Sequence, residues 1–402
     1  MAEDAGRRVP TEDIYGVDRL ARALLRVAPR VAPGSMVAVH GSPGSVRSEL
    51  LRRMVWQVHQ ARVGGAPLPG VHPVVAWYDP WTWSRQGSLL SGVVAAVARV
   101  SPAPHLLLDR ARDLVGVLQR LRLDGQPSDA PGAAFSGLES DPVDAAIDGF
   151  SALVDAARGG RTGRLLLVVD PLDRLPPPAR AQLLDGLRLL LAGGADVTAL
   201  VCLGRASARA AVRARDGALD DDAVDRELDE LFDLAVNVPN LEVRRIGTLL
   251  REQLAPVEPV LKRCFGADAL TALTAAAAHK PLGSPRVLRR LAHRVSLLAE
   301  FSVEARATRE LTEAQWAWVI VSERWPAFRR FMIRGGRERW AELRAALGAL
   351  AARRNVPERT GILGFLEQDL LLADYLRLHA DGLERDADGI FWLENLMLAA
   401  GL

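Results

Sequence analysis

Five short apolar runs, interleaved with stretches of helical periodicity, set the tightest limit on how this chain folds. They span residues 36–40, 73–77, 164–170, 197–203 and 232–238. The first four are apolar almost throughout, which predicts strands buried on both faces, the mark of a parallel sheet covered by helices. Helical spacing covers 10–30, 49–61, 89–100, 142–157 and 178–191. Polar stretches at 124–142 and 213–222 read as loops. After Pro239 the strand signal fades, and Leu, Ala, Arg and Glu recur at helical spacing. The expected fold class is α/β, with a three-layer parallel-sheet domain over 1–240 and an all-helical region over 241–402.

The charge balance leaves nucleic acid as a partner without general support. Fifty-one basic residues face 49 acidic ones, a net charge of +2, so the chain as a whole has no pull toward nucleic acid. Lys262 and Lys280 are the only lysines, so nearly every basic residue is Arg. Two cysteines, Cys202 and Cys264, form neither a disulfide framework nor a metal motif, which makes a reducing cytoplasm the expected compartment. The first residues hold no apolar signal core, and no run approaches the ~20 apolar residues that span a bilayer.

The first apolar run leads into Gly41-Ser42-Pro43-Gly44-Ser45-Val46-Arg47-Ser48 and then a helix. Strand, Gly-rich turn and helix is the layout that cradles phosphate on backbone N–H groups. A full P-loop reads G-x-x-x-x-G-K-[ST]. Gly41 and Ser48 keep its ends and Gly44 lies within it, but Val46 stands where glycine belongs and Arg47 where lysine does. A β-branched side chain resists unusual backbone angles. A planar guanidinium does not fill the slot of a compact ammonium. A Gly/Ser turn before an ordinary helix is the competing reading. Asp170, closing the third run, has the position of a Mg²⁺-organising carboxylate; a helix cap or turn residue sits there equally well. Pro171 follows, so the next side chain cannot orient a water. Asp173 and Arg174 come after it.

Four further segments sharpen the reading. Val74 to Gln86 contains Tyr78-Asp79-Pro80-Trp81-Thr82-Trp83-Ser84-Arg85-Gln86, similar to a segment of form FNPWxxSGQ. Val168-Val169-Asp170-Pro171-Leu172-Asp173-Arg174 resembles IDDLDR. Leu228 to Leu234 with Val238-Pro239 resembles YLEKIFQ…LP, and Gly283-Ser284-Pro285-Arg286-Val287-Leu288-Arg289-Arg290 resembles NPRxxKR. In this order, over about residues 15–300, they resemble the KAP family of P-loop NTPases.

The resemblance implies a site for ATP and Mg²⁺. Gly41, Gly44, Arg47 and Ser48 would bind nucleotide, and Ser48 and Asp170 would hold the metal. Asp173 and Arg286 would act in catalysis, with Arg174 at the same site and Arg286 in a sensor-like position. Arg205, just after the fourth run, would reach the phosphates. The departures are Val46, Arg47, Asp79, Pro171 and Gly204. Family members that insert in membranes have spans this chain lacks. The expected partners are a nucleotide and either another protein or a second copy of the chain.

Other features have plainer readings. Trp77, Trp81 and Trp83 are expected to pack beneath the sheet more than to stack on bases. Arg286, Arg289, Arg290 and Arg294 form a helical stripe, either a solvated face or a weaker nucleic-acid surface. Trp316, Trp318, Trp325, Phe328 and Phe331 read as the core of the helical region. The seven histidines have no ligand spacing.

Overall fold

Strand β1 (Ser35–His40) buries Met36 and Ala38 on one face and Val37 and Val39 on the other. Strand β3 (Leu165–Val169) divides in the same way, with Leu165, Leu167 and Val169 opposed to Leu166 and Val168. A two-residue period with both faces covered is why these segments are apolar throughout. In the computed structural model they join β2 (Val74–Tyr78), β4 (Val197–Cys202) and β5 (Leu234–Asn237) in one parallel sheet of order β2-β3-β4-β1-β5. The structure describes residues 13, 15–41, 45–62, 74–85, 89–121, 141–161, 163–239, 241–278, 284–335, 338–339, 342–343, 345–346 and 361–402.

The strand order fixes where the helices lie. The β1-to-β2 connection crosses the sheet in one direction; the three later connections cross it in the other. Right-handed crossovers then put α2 (Arg47–Arg62) on one face and the later helices on the opposite face. Packing agrees. Leu50, Leu51 and Met54 of α2 meet Val37, Val39, Leu166 and Leu200, together with Leu24 and Leu25 of α1 (Asp18–Val27). The other face is covered by α4 (Leu89–Ala98), α5 (Leu108–Arg120), α6 (Pro142–Arg158), α7 (Pro177–Leu191), α8 (Arg205–Arg215) and α9 (Asp221–Leu231). A one-turn helix, α3 (Pro80–Ser84), follows β2.

Two expectations need correction. Residues 213–222 are not one loop, because α8 runs to Arg215 and Asp220 caps α9 by accepting from the Ala223 amide at 2.7 Å. Helix α5 lies in a stretch with no element expected. Most of the loop expected over 124–142 falls outside the described residues, and at its end Asp141 and Pro142 already open α6. The three tryptophans expected together separate: Trp77, within β2, and Trp83 pack on opposite core layers, and Trp81 is exposed beside Arg85.

The chain divides into two compact units, Met1–Pro239 and Asn240–Leu402. The second is helical where described: α10 (Val243–Leu254), α11 (Glu258–Phe265), α12 (Ala269–Ala277), α13 (Pro285–Glu304), α14 (Glu313–Arg324), α15 (Pro326–Arg334), α16 (Ile362–Gln368), α17 (Leu370–Arg385) and α18 (Ala387–Ala399). A capping box of Thr312 and Gln315 starts α14, and its Trp316 and Trp318 are fully buried. Trp325 and Phe328 join that core; Phe331 is half-buried against Phe365, with ring centres 5.1 Å apart. Among the described residues, no helix is long and apolar enough to cross a membrane.

Candidate functional site

The connections from β1 and β4 leave these neighbouring strands toward opposite faces, so a crevice opens at their C-terminal ends. Open α/β sheets bind ligands at such a switch point. Gly41, Ser45, Val46, Arg47 and Ser48 follow β1, Asp170 and Asp173 follow β3, and Gly204 and Arg205 follow β4. Residues from three separate strand ends therefore converge on one edge of the sheet.

Helix α2 begins tightly. The Leu50 amide donates to the Val46 carbonyl at 2.8 Å, so the amides just before it have no carbonyl within the helix. A Cβ on Gly41 would stand 2.7 Å from Ser45 Oγ and 2.9 Å from Arg47 Cγ, so any larger residue there would displace both side chains. Val46 has a different explanation. Its side chain is buried among the α1, α2 and β1 residues, and its φ is not positive. The turn needs no glycine at 46, and the valine serves the core. Gly44, with Ser42 and Pro43, lies outside the described residues.

Two contacts organise the crevice. Ser48 Oγ donates to Asp170 Oδ1 at 3.0 Å. Arg47 Nη2 donates to Asp173 Oδ2 at 2.5 Å. The second Asp173 oxygen accepts from the Gly204 amide at 2.9 Å. Glycine at 204 is explained by this neighbour: a Cβ there would lie 3.7 Å from Asp173 Oδ1, so an acidic side chain would bring two carboxylates together.

The two aspartates titrate in opposite directions. Burial is the largest influence on Asp170 and raises its pKa, only partly offset by hydrogen bonds from Cys202 and Ser48. Burial also acts to raise Asp173, but the Gly204 amide and the Arg47 guanidinium outweigh it and hold that carboxyl low. The Cys202 thiol is pushed well up, by its own burial first and the Asp170 charge second.

The side chains present meet the needs of a phosphate-and-metal site in part. Ser45 Oγ and Arg47 Nη1 are both buried without a hydrogen-bond partner at the start of α2. Such orphaned groups call for an explanation, and an incoming oxyanion would satisfy both. Among the described residues no cluster of three or more His, Cys, Asp or Glu could hold a metal. A hydroxyl and one carboxylate are nevertheless the sparse donor set that Mg²⁺ uses when phosphates supply the rest. Arg47 fits less well, because half of its fork is already spent on Asp173.

The remaining residues implied by the resemblance lie elsewhere. Arg205 is two-thirds exposed at the start of α8, 3.5 Å from Asp225, and a phosphate contact would require it to leave that carboxylate. Arg174 closes the short turn Leu172–Arg174. Arg286 is exposed in the first turn of α13, in the second unit. The arginine stripe of α13 is not wholly solvated: Arg290 and Arg294 both pair with the buried Glu323. Cys202 and the Gly204 amide were not evident from sequence as site groups, since a buried thiol and a glycine have no motif. Their signal is positional, at the end of the strand beside β1.

The fold and crevice define an α/β protein with a parallel sheet and a polar cluster at its switch point. No protein-family model matches the chain, and no curated protein matches it significantly.

Proposed function

We propose that the first unit is a KAP-like P-loop domain that binds ATP with Mg²⁺ as a switch and turns it over weakly or not at all. The observation that carries the binding half is the Ser48–Asp170 contact at the N-terminus of α2. Bound ATP would supply the phosphate oxygens that complete the coordination of Mg²⁺. Gly41 and the first amides of α2 would hold those phosphates, and Ser48 and Asp170 would hold the metal. A buried carboxylate whose pKa is raised, with no ion pair among the described residues and only partial relief from the Arg52 and Arg47 charges, fits a site that is completed by a cation.

Weak turnover follows from what surrounds Asp170. Pro171 has no polar side-chain group to orient a water, and both oxygens of Asp173 are engaged, by Arg47 and by the Gly204 amide. Phosphoryl transfer depends on positioning and on charge placed against the transferred group. Here the one cation in the loop is neutralised internally. That same Arg47–Asp173 pair favours a second reading, a pseudo-NTPase that keeps the fold as an interaction scaffold for another protein or a second copy of this chain.

Calorimetric titration of ATP with Mg²⁺ into the wild-type protein and an Asp170→Ala variant separates the two readings. Saturable binding, lost in the variant, is expected. Absence of heat at millimolar ATP would sink the switch and leave the scaffold. If binding is seen, a turnover assay is expected to give little or no product.

A further inference from the structure

The second unit contains a cavity of about 340 Å³ lined by Arg290, His293, Arg294, Ser322, Glu323 and Pro326. Its volume falls in the lower part of the range of roughly 300–1,000 Å³ typical of small-ligand sites. Three of the six are nitrogen-bearing side chains from α13, spaced i, i+3 and i+4 and therefore on one helix face. The rest come from the last turn of α14 and the first of α15.

The charges are arranged in a specific way. Glu323 is buried behind the two guanidiniums. Arg294 Nε lies 3.0 Å from Glu323 Oε2, and Arg290 Nε donates to Oε1. Each guanidinium also donates to a backbone carbonyl: Arg290 Nη2 to Glu323 at 3.3 Å and Arg294 Nη1 to Ser322 at 3.4 Å. Arg290 thus spends its Nε/Nη2 edge on Glu323, and Arg294 is held through Nε and Nη1. Nη1 of Arg290 and Nη2 of Arg294 are left with no hydrogen bond among the described residues. The Arg290 side chain is 60% exposed, so its free edge is open to a ligand. Two guanidiniums against one carboxylate leave a net positive charge. The Ser322 hydroxyl is already spent on the Trp318 carbonyl at 2.8 Å. What remains for a ligand is Nη1 of Arg290, Nη2 of Arg294 and the His293 ring, a neutral form of which donates from one nitrogen.

We infer that this cavity is a binding site for the phosphate group of a small phosphorylated ligand. A fixed guanidinium edge is pre-organised for charge-assisted hydrogen bonds to an oxyanion. Two edges from neighbouring positions on α13 match the several oxygens of a tetrahedral phosphate better than the two of a planar carboxylate. The buried glutamate aims the arginines, and the space beside them accepts the rest of the ligand. This inference does not depend on the nucleotide reading of the first unit, since every residue in it belongs to the second.

The test uses the whole 402-residue chain with inorganic phosphate as probe, followed by calorimetry at low ionic strength. Saturable binding is expected, weakened about tenfold by Arg294→Lys or Arg290→Lys, which keep the charge but remove the fork. Glu323→Gln keeps a hydrogen-bond acceptor and removes the opposing charge, so it should tighten phosphate binding several-fold. Circular dichroism checks that each variant is folded. Ser48→Ala, in the other unit, should leave this binding in place; loss of binding in Ser48→Ala alone would move the phosphate to the first unit and overturn the assignment. No phosphate binding, or binding indifferent to all three cavity variants, overturns it as well. So does capture of a single-stranded oligonucleotide, with steep salt dependence, in place of inorganic phosphate.

Discussion

Both units bury carboxylates, and they treat them differently. In the helical unit Glu323 is clamped by Arg290 and Arg294, while Glu394 takes Arg329 Nη2 at 2.7 Å and Trp318 Nε1 at 2.5 Å. In the sheet unit Asp170 is as deeply buried but, among the described residues, is hydrogen-bonded by a hydroxyl and a thiol and forms no ion pair, the Arg47 and Arg52 charges acting from further off. A buried charge is costly unless it is paired. The paired carboxylates join helices, whereas Asp170 sits at the switch point of the parallel sheet with its charge met by hydrogen bonds and more distant arginines. Asp173 lies between these cases, paired like the glutamates but inside the crevice.

The largest test of that contrast is Glu394→Ala. It leaves the Arg329 charge buried and the Trp318 N–H without its acceptor, so a loss of about 3–5 kcal/mol is expected in denaturant unfolding. An effect under about 1 kcal/mol, the scale of an exposed pair, would show that the clamp is not structural. Next comes Val46→Gly. If valine is there for the core, glycine should cost roughly 2 kcal/mol or more and should not improve ATP binding. A gain in ATP affinity would show instead that the side chain obstructs the loop.

Asp170→Asn probes the unpaired carboxylate through pH. With a raised folded pKa, the native state holds a proton that the unfolded chain releases above the ordinary value of 3.8. The stability from this group is full below that value and declines as pH rises through the folded pKa. Asparagine should remove the decline and make the ligand-free protein more stable at neutral pH. Asp173 has the opposite sign: its contribution is present above 3.8 and is lost as pH falls through its lowered folded pKa. A variant that keeps the wild-type pH profile above 3.8 would mean that Asp170 already has a cation. The smallest effect is expected from Arg205→Ala, which breaks an exposed pair with Asp225: no measurable change in denaturant unfolding and ATP binding unchanged. A clear loss of ATP binding would return Arg205 to the site.

Much of the sheet was legible in sequence because each strand announces itself locally. The runs at 36–40 and 197–203 differ from β1 and β4 by a residue at one end. Strand order was not legible, since it depends on contacts between distant segments. The same limit governed the site. Ser48 and Asp170 are 122 residues apart and Arg47 and Asp173 are 126 apart, so each position was readable while the pairing was not. Val46 looked like damage to a phosphate loop, because a motif shows what a loop prefers and not what the core beneath it requires. The arginines of α13 looked like a solvated stripe because Glu323 lies on a different helix.

The Arg47–Asp173 pair has a quantitative consequence. Asp173 is an internal competitor, an anion tethered beside the guanidinium that an incoming anion would seek. A tethered competitor acts at a fixed effective concentration that no dilution reduces. Apparent affinity for a ligand that needs the released arginine is lowered by the fraction of time the pair is open. Such a site ignores scarce anions and fills only when they are abundant, so its occupancy would gauge supply instead of detecting traces.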